Sequence, residues 1–204
     1  MAHPVLPRAA YLDPPDVVAR RLLGKLLVRQ REGERLTGRI VEVEAYMGQD
    51  DPAAHAFAGK TERNAVLFGL PGFAYIYFIY GMHFCLNLSC EPEGQAGSVL
   101  LRALEPLEGL RTMARLRGLT AGADPRQLAS GPGRLCQALD ITRLAHNGVD
   151  ATLRRSVLHV EDDGCVPGST VALPRVGIRR AAELPLRFVI EGNRFVSGMK
   201  SLSS

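Results

Sequence analysis

A chain of 204 residues with ordinary apolar and charged content suits one domain, or at most two small ones, with a sizeable core. Only Lys25, Lys60 and Lys200 are lysine, so 22 of the 25 basic residues are arginine; the +4 net charge fits an anionic polymer partner, and equally fits an arginine-rich coding bias. No apolar run is long enough to span a bilayer, and the stretch MAHPVLPRAAYLDPPDVV lacks the apolar core of a secretory signal, so a cytosolic protein is expected.

In chain order, Asp13-Pro14-Pro15 is expected to cap a helix through VVARRLLGKLL, with Val17, Leu22 and Leu26 on its apolar side. GRIVEVEAY alternates as a strand. Asp51-Pro52 and Thr61 open short helical turns in a polar connection. FAYIYFIY and HFCLNLSC, separated by little more than Gly81-Met82, read as a β-hairpin. SVLLRALEP follows as another strand, and Pro106 is expected to begin a helix through LEGLRTMARLRG. GLTAGADPRQLASGPG reads as a flexible loop, SGPGRLCQALDI as a helix with Ser130 near its start, and the chain from Val157 on as short strands joined by Gly and Pro turns. Strands and helices mix without regular βαβ alternation, which favours an α+β fold.

Several residues could carry chemistry. In VEVEAY, strand parity puts Val41, Val43 and Ala45 on one face and Glu42, Glu44 and Tyr46 on the other. For Glu42 a solvated polar face is the expectation; Glu44 is either the same or a general base. Arg102 interrupts the apolar strand, with Leu100 and Leu104 as same-face neighbours, and must find an acceptor. It is either half of a structural ion pair, with Glu42 or Glu105, or an anion clamp that orients a water. His55 has no second ligand at metal spacing and reads as a structural or pocket-lining histidine. Cys85 and Cys90 have no His or further Cys pair in register for zinc, while Cys85 and Cys136 fall in apolar patterns as reduced core thiols. SGPGRLCQ, with Arg134 one turn in, is either a phosphate seat or an ordinary turn.

Taken together, Glu44-Ala45-Tyr46, His55, YIYFIYGMHFCLN and LLRALEPLEG resemble, in order and spacing, the alkyladenine (3-methyladenine) DNA glycosylase family. SGPGRLCQAL, PRVGI and PLRFVI carry the likeness almost to the C-terminus. The resemblance implies one compact α+β domain spanning residues 1–204, with residues 1–12 as a loosely ordered arm, a curved and largely antiparallel sheet, a protruding hairpin and surrounding helices. It implies an enzyme that extrudes damaged purines from duplex DNA and hydrolyses the N-glycosidic bond. By resemblance, Glu44 activates the attacking water and Arg102 holds that water or the nearby phosphate. Tyr46, His55 and Tyr77 enclose the base, with the Val176 carbonyl as a further contact, and Asn87 crowds the exocyclic amine of undamaged guanine. Tyr80 wedges into the minor groove, while Lys60, Arg63, Met82 and Arg134 meet the DNA backbone. No cofactor, metal, membrane or obligate protein partner is implied. The expected form is a monomer on double-stranded DNA containing damaged purines, nucleoid-associated if bacterial and nuclear if eukaryotic, with no long N-terminal extension.

Hairpin parity tests that assignment. A two-residue turn at Gly81-Met82 pairs Tyr80 with His83 and puts Tyr77 and Asn87 on opposite faces. A three-residue loop pairs Ile79 with His83 and Tyr77 with Cys85, which brings Tyr77, His83 and Asn87 to one face. The odd-length loop is therefore expected. His83 stands where related sequences can carry Tyr. With no lysine near these motifs, a Schiff-base lyase step has no obvious nucleophile. Three rival functions are a non-catalytic duplex-binding module, a zinc nucleobase deaminase (whose H-x-E and P-C-x-x-C are lacking) and a carbohydrate hydrolase using Glu42 with Glu44.

Overall fold

The structure, a computed structural model, describes residues 3–79 and 81–198. Strands β1 (Leu26–Arg31) and β2 (Glu34–Tyr46) form a tight hairpin, and β5 (Gly97–Glu108) lies along the other side of β2. A second hairpin, β3 (Ala74–Ile79) and β4 (His83–Cys90), joins the sheet through β4 and β5. Strand β6 (Leu158–Glu161) adds to β1, giving the order β3-β4-β5-β2-β1-β6. The pair β7 (Thr170–Leu173) and β8 (Arg187–Ile190) docks on the C-terminal half of β2, so the sheet curls. All of these pairings are antiparallel, and among the described residues five short α-helices surround them, which is the α+β architecture expected.

The main core packs α1 (Pro15–Leu22), α2 (Leu110–Leu116) and α4 (Pro132–Ala138) against one sheet face through Val18, Leu22, Leu36, Val43, Leu101, Met113 and Leu135. The remaining helices, α3 (Arg126–Ala129) and α5 (Arg143–His146), are single turns. Cys85, Cys90 and Cys136 are free, buried thiols, as their apolar surroundings suggest. Among the described residues no helix is long and apolar enough to cross a membrane.

Local structure departs from the sequence reading where backbone conformation overrides pattern. Gly24, at φ +83°, stops α1 two residues after Leu22, and Leu26-Leu27 begin β1 instead of extending a helix. Val17 is exposed, while Val18, Ala19 and Leu22 form the buried side. Asp13 makes no cap; it pairs with Arg21 at 2.6 Å, and Pro15 opens the helix. Pro106 does not start a helix either. It stays in β5 opposite Gly38, beside an irregularity in the ladder, and α2 begins only after Gly109 turns at φ +77°. The loop expected after α2 contains α3. Within the stretch expected as a loosely ordered arm, Val5 bridges Glu161, the Leu6 amide donates to Val160, and Tyr11 is fully buried.

β6 carries a buried charge cluster. Glu161 accepts both arms of Arg35 at 3.1 and 2.8 Å, and contacts Arg154 and His159 at 3.1 Å. Burial alone would raise its pKa, but the hydrogen bonds from Arg35 and His159 outweigh this and hold the carboxyl down at about 2, against 4.5 unperturbed. A depressed folded-state pKa gives stability that is present above about pH 4.5 and is lost as pH falls toward 2. Thermal melting should therefore decline across that window, and Glu161→Gln should flatten this part of the decline while lowering the melting temperature at neutral pH.

Candidate active site

The first requirement of a pocket is that its side chains share a face, and the hairpin register meets it. Ile79 pairs with His83, Tyr77 with Cys85 and Tyr75 with Asn87, so the loop is three residues long and Tyr75, Tyr77, Cys85 and Asn87 point the same way. Tyr80 falls within this loop and outside the described residues. Met82, next to it, is 70 % exposed.

The second requirement is that β2 and β5 present their charges to the same cavity. Their ladder pairs Ile40 with Leu104, Glu42 with Ala103 and Val43 with Leu101, and so skips Val41 and Arg102. This double irregularity breaks simple alternation. Leu104 and Leu101 both enter the main core, and Val41 leaves Val43 and Ala45 to pack with Ala103 and Phe195. Arg102 is thereby aimed at the carboxylates of β2, as bulges beside functional sites commonly do.

The cavity that results has a volume of about 320 Å³, within the range of small-molecule sites. Glu44 and Arg102 lie on one wall with Ser98 and Leu100; Tyr46, His55, Tyr75 and Tyr77 supply the rings; Asn87, Cys85 and Val176 complete it. Glu44 is fully buried and held by three donors, which leaves acceptor capacity on the carboxylate. Its Oε1 accepts the Val176 N–H at 2.8 Å and faces Arg102 Nη1 at 3.1 Å, while Oε2 accepts the Tyr46 hydroxyl at 3.0 Å. Val176 therefore reaches Glu44 through its amide N–H. Burial and the adjoining Glu44 charge push the Tyr46 phenol far above its ordinary pKa, which keeps it a donor. Burial lowers the Arg102 pKa, but the charges of Glu44 and Glu42 more than restore it.

The aromatic wall is held by its own contacts. His55 Nδ1 lies 3.0 Å from the Tyr75 hydroxyl, and its ring meets Tyr77 edge-on at 4.4 Å. Partial burial, then the nearby Arg63 charge, lower the His55 pKa and favour neutral imidazole. Asn87 lines the cavity and is 3 % exposed, and its Nδ2 is buried with no hydrogen-bond partner among the described residues. His83 packs on α4 instead, where Gly133 leaves no room for more: a Cβ there would lie 3.0 Å from His83 Cγ.

One expectation fails here. Glu42 is not a solvated strand residue; it is fully buried, bound to Arg102 at 2.9 Å and to Arg187 at 3.0 Å, and does not line the cavity. A carbohydrate mechanism using Glu42 with Glu44 thus loses one of its carboxylates. Lys60, Arg63 and Arg134 are exposed and outside the cavity.

Sequence reasoning also missed three residues. Tyr75 was legible in principle, because it shares parity with Tyr77. Asp51 and Arg175 were not, since 124 residues separate them. Arg175 grips both Asp51 carboxylate oxygens (2.9 Å from Nη2 to Oδ1), donates to the Ala45 carbonyl at 3.0 Å, and lies 4.7 Å over the Tyr46 ring. It fixes Tyr46 from behind and sits next to the Val176 amide.

Comparison with known proteins shows the family of the chain. The sequence profile described as methylpurine-DNA glycosylase matches residues 9–194. A Koribacter versatilis protein named "Putative 3-methyladenine DNA glycosylase" is 54 % identical over 97 % of this chain and 95 % of its own length. Proteins of the same name from Methanocella arvoryzae (50 % identical, 90 % of each chain) and Burkholderia orbicola strain MC0-3 (47 %, covering 95 % of this chain and 91 % of that one) are similar along nearly their whole length. A family match over most of the sequence and this degree of identity establish that the chain belongs to the methylpurine-DNA glycosylase family.

Proposed function

We propose that the protein is a monofunctional DNA glycosylase that takes an alkylated or deaminated purine out of duplex DNA and hydrolyses its N-glycosidic bond, leaving an abasic site. The observation that carries this reading is Glu44, buried at the wall of an aromatic cavity and oriented by Arg102, Tyr46 and the Val176 amide. A carboxylate in such a recess cannot reach a sugar inside a stacked duplex, so the nucleotide must be extruded at a cost of a few kcal/mol. Tyr80, on the hairpin loop, is assigned to the gap left behind, where an aromatic wedge replaces lost stacking. Tyr46, His55 and Tyr77 receive the base; a cationic alkylated purine against these rings gains about 0.5–2 kcal/mol over a neutral one. Asn87 is assigned to crowd the exocyclic amine of undamaged guanine.

The chemistry then follows from charge. As the bond between the sugar C1′ and the base nitrogen lengthens, positive charge grows on the sugar and Glu44 stabilises it. Glu44 takes the proton of the water that attacks C1′, the bonding electrons leave with the purine, and Arg102 keeps the carboxylate oriented. Among the described residues no lysine lines the cavity, which supports hydrolysis over Schiff-base strand cleavage. Lys60, Arg63, Met82 and Arg134 are assigned to the DNA backbone.

The test is single-turnover base release from a duplex carrying one 3-methyladenine or hypoxanthine. Abasic sites that break only after alkali support the reading; strand breaks without alkali overturn its monofunctional part. Salt-sensitive binding with no release from any damaged duplex would instead support a binding module. Tyr46→Phe removes one fixed donor to Glu44 and should slow release by roughly tenfold in the same assay.

A further inference from the structure

Glu42 is spent on neither substrate nor solvent, yet four donors converge on it. Its Oε1 accepts Arg102 Nε at 2.9 Å, Arg187 Nη1 at 3.0 Å and the Ser197 hydroxyl at 2.9 Å; its Oε2 accepts the Ser197 amide at 2.6 Å. A fully buried carboxylate is costly unless saturated in this way. Arg102 is divided between two carboxylates as a result: Nε on Glu42, Nη1 on Glu44, and Nη2 3.4 Å from the Ser197 hydroxyl.

We propose that Glu42 and Ser197 are positioning residues that lock the Arg102 guanidinium so that only its Nη1 edge serves Glu44. The proposal rests on the reading of Glu44 as the base. A guanidinium on a flexible stem can meet a carboxylate through several edges. Occupying Nε by Glu42 and Nη2 by Ser197 leaves one geometry. Ser197 belongs to the C-terminal turn, beyond the last residue matched by the family profile, and that turn is anchored by Phe195, which packs against Val41 and Ala103. The turn thus acts as a latch: Phe195 seats it, and Ser197 completes the ring of donors around Glu42. Arg187, arriving from β8, balances the second carboxylate with a second cation.

Glu42→Gln keeps the size of the side chain but offers one acceptor oxygen where four donors converge, and Ser197→Ala removes one donor. The measurements are the single-turnover plateau rate at saturating enzyme, the affinity for lesion duplex, the melting temperature, and the NMR Nε–H resonance of Arg102. For Glu42→Gln the plateau rate should fall about tenfold or more, with affinity within about twofold; Ser197→Ala should lose a few-fold in the same direction. The Arg102 Nε–H signal should be sharp in the wild type and broadened in Glu42→Gln. Unchanged plateau rates with unchanged Arg102 resonances, or a loss that only tracks the folded fraction, would overturn the latch. If instead Glu44→Gln releases base as fast as wild type, the reading of the site fails. The Arg102 resonance then still decides the latch, since broadening supports it and an unchanged signal overturns it.

Discussion

Glu44→Gln is expected to slow base release by about 10²–10⁴-fold, the range associated with losing a positioned general base, while affinity for damaged duplex changes little. The replacement is nearly isosteric. Its oxygen can still accept the Val176 amide that now bonds Oε1 at 2.8 Å, so the local fold should survive. What is lost is the ability to take a proton from water and the negative charge opposite the developing charge on the sugar. Because both losses act on the transition state, the single-turnover rate should fall with little change in binding. A variant as active as wild type would move the base elsewhere and reduce Glu44 to a structural partner of Arg102. A variant that neither binds nor releases would show that the carboxylate supports the fold.

Arg175→Ala should cost about 3–5 kcal/mol of folding stability, the penalty of stranding one partner of a buried ion pair. Asp51 and Arg175 side chains are 1 % and 0 % exposed, so neither can find water when the other is removed. The same truncation withdraws the guanidinium from over Tyr46 and the donor from the Ala45 carbonyl. Urea unfolding of Arg175→Ala, Asp51→Ala and the double variant separates the effects. The double variant should be less destabilised than the sum of the two single ones, because no unpaired charge remains. Arg175→Lys restores the charge without the fork, and should recover stability better than it recovers base release, since a point charge does not hold the Tyr46 ring. Additive losses in the double variant would show that the two side chains do not depend on one another.

Much of this was legible in the chain because short-range rules govern it. The odd-length hairpin loop followed from requiring Tyr77 and Asn87 on one face, and the register of Ile79 with His83 matches it. Cys85 and Cys136 read as core thiols from their apolar neighbours. The illegible parts have a common cause. Alternation along β2 and β5 predicts side-chain direction only while the ladder is regular, and the skipped Val41 and Arg102 end that regularity where the site begins. Glu42 therefore looked solvated and Leu104 looked like a neighbour of Arg102. Asp51 with Arg175, and Glu42 with Ser197, are pairs between opposite parts of the chain that no local spacing announces. The helix boundaries at Gly24 and Gly109 were set by left-handed backbone that competed with, and overrode, a continuing apolar pattern.

The same long-range closures order events during synthesis. Glu44 and Arg102 leave the ribosome early, but the amide that fixes Glu44 comes from Val176, the fork behind Tyr46 from Arg175, and the seal on Glu42 from Ser197. Until that stretch has emerged, the β2–β5 ladder can already bring Arg102 to Glu42 and Glu44, but Glu44 lacks the Val176 amide and Glu42 lacks both Ser197 donors. A chain ending before Arg175 is therefore expected to release base more slowly than the full chain, in the same single-turnover assay.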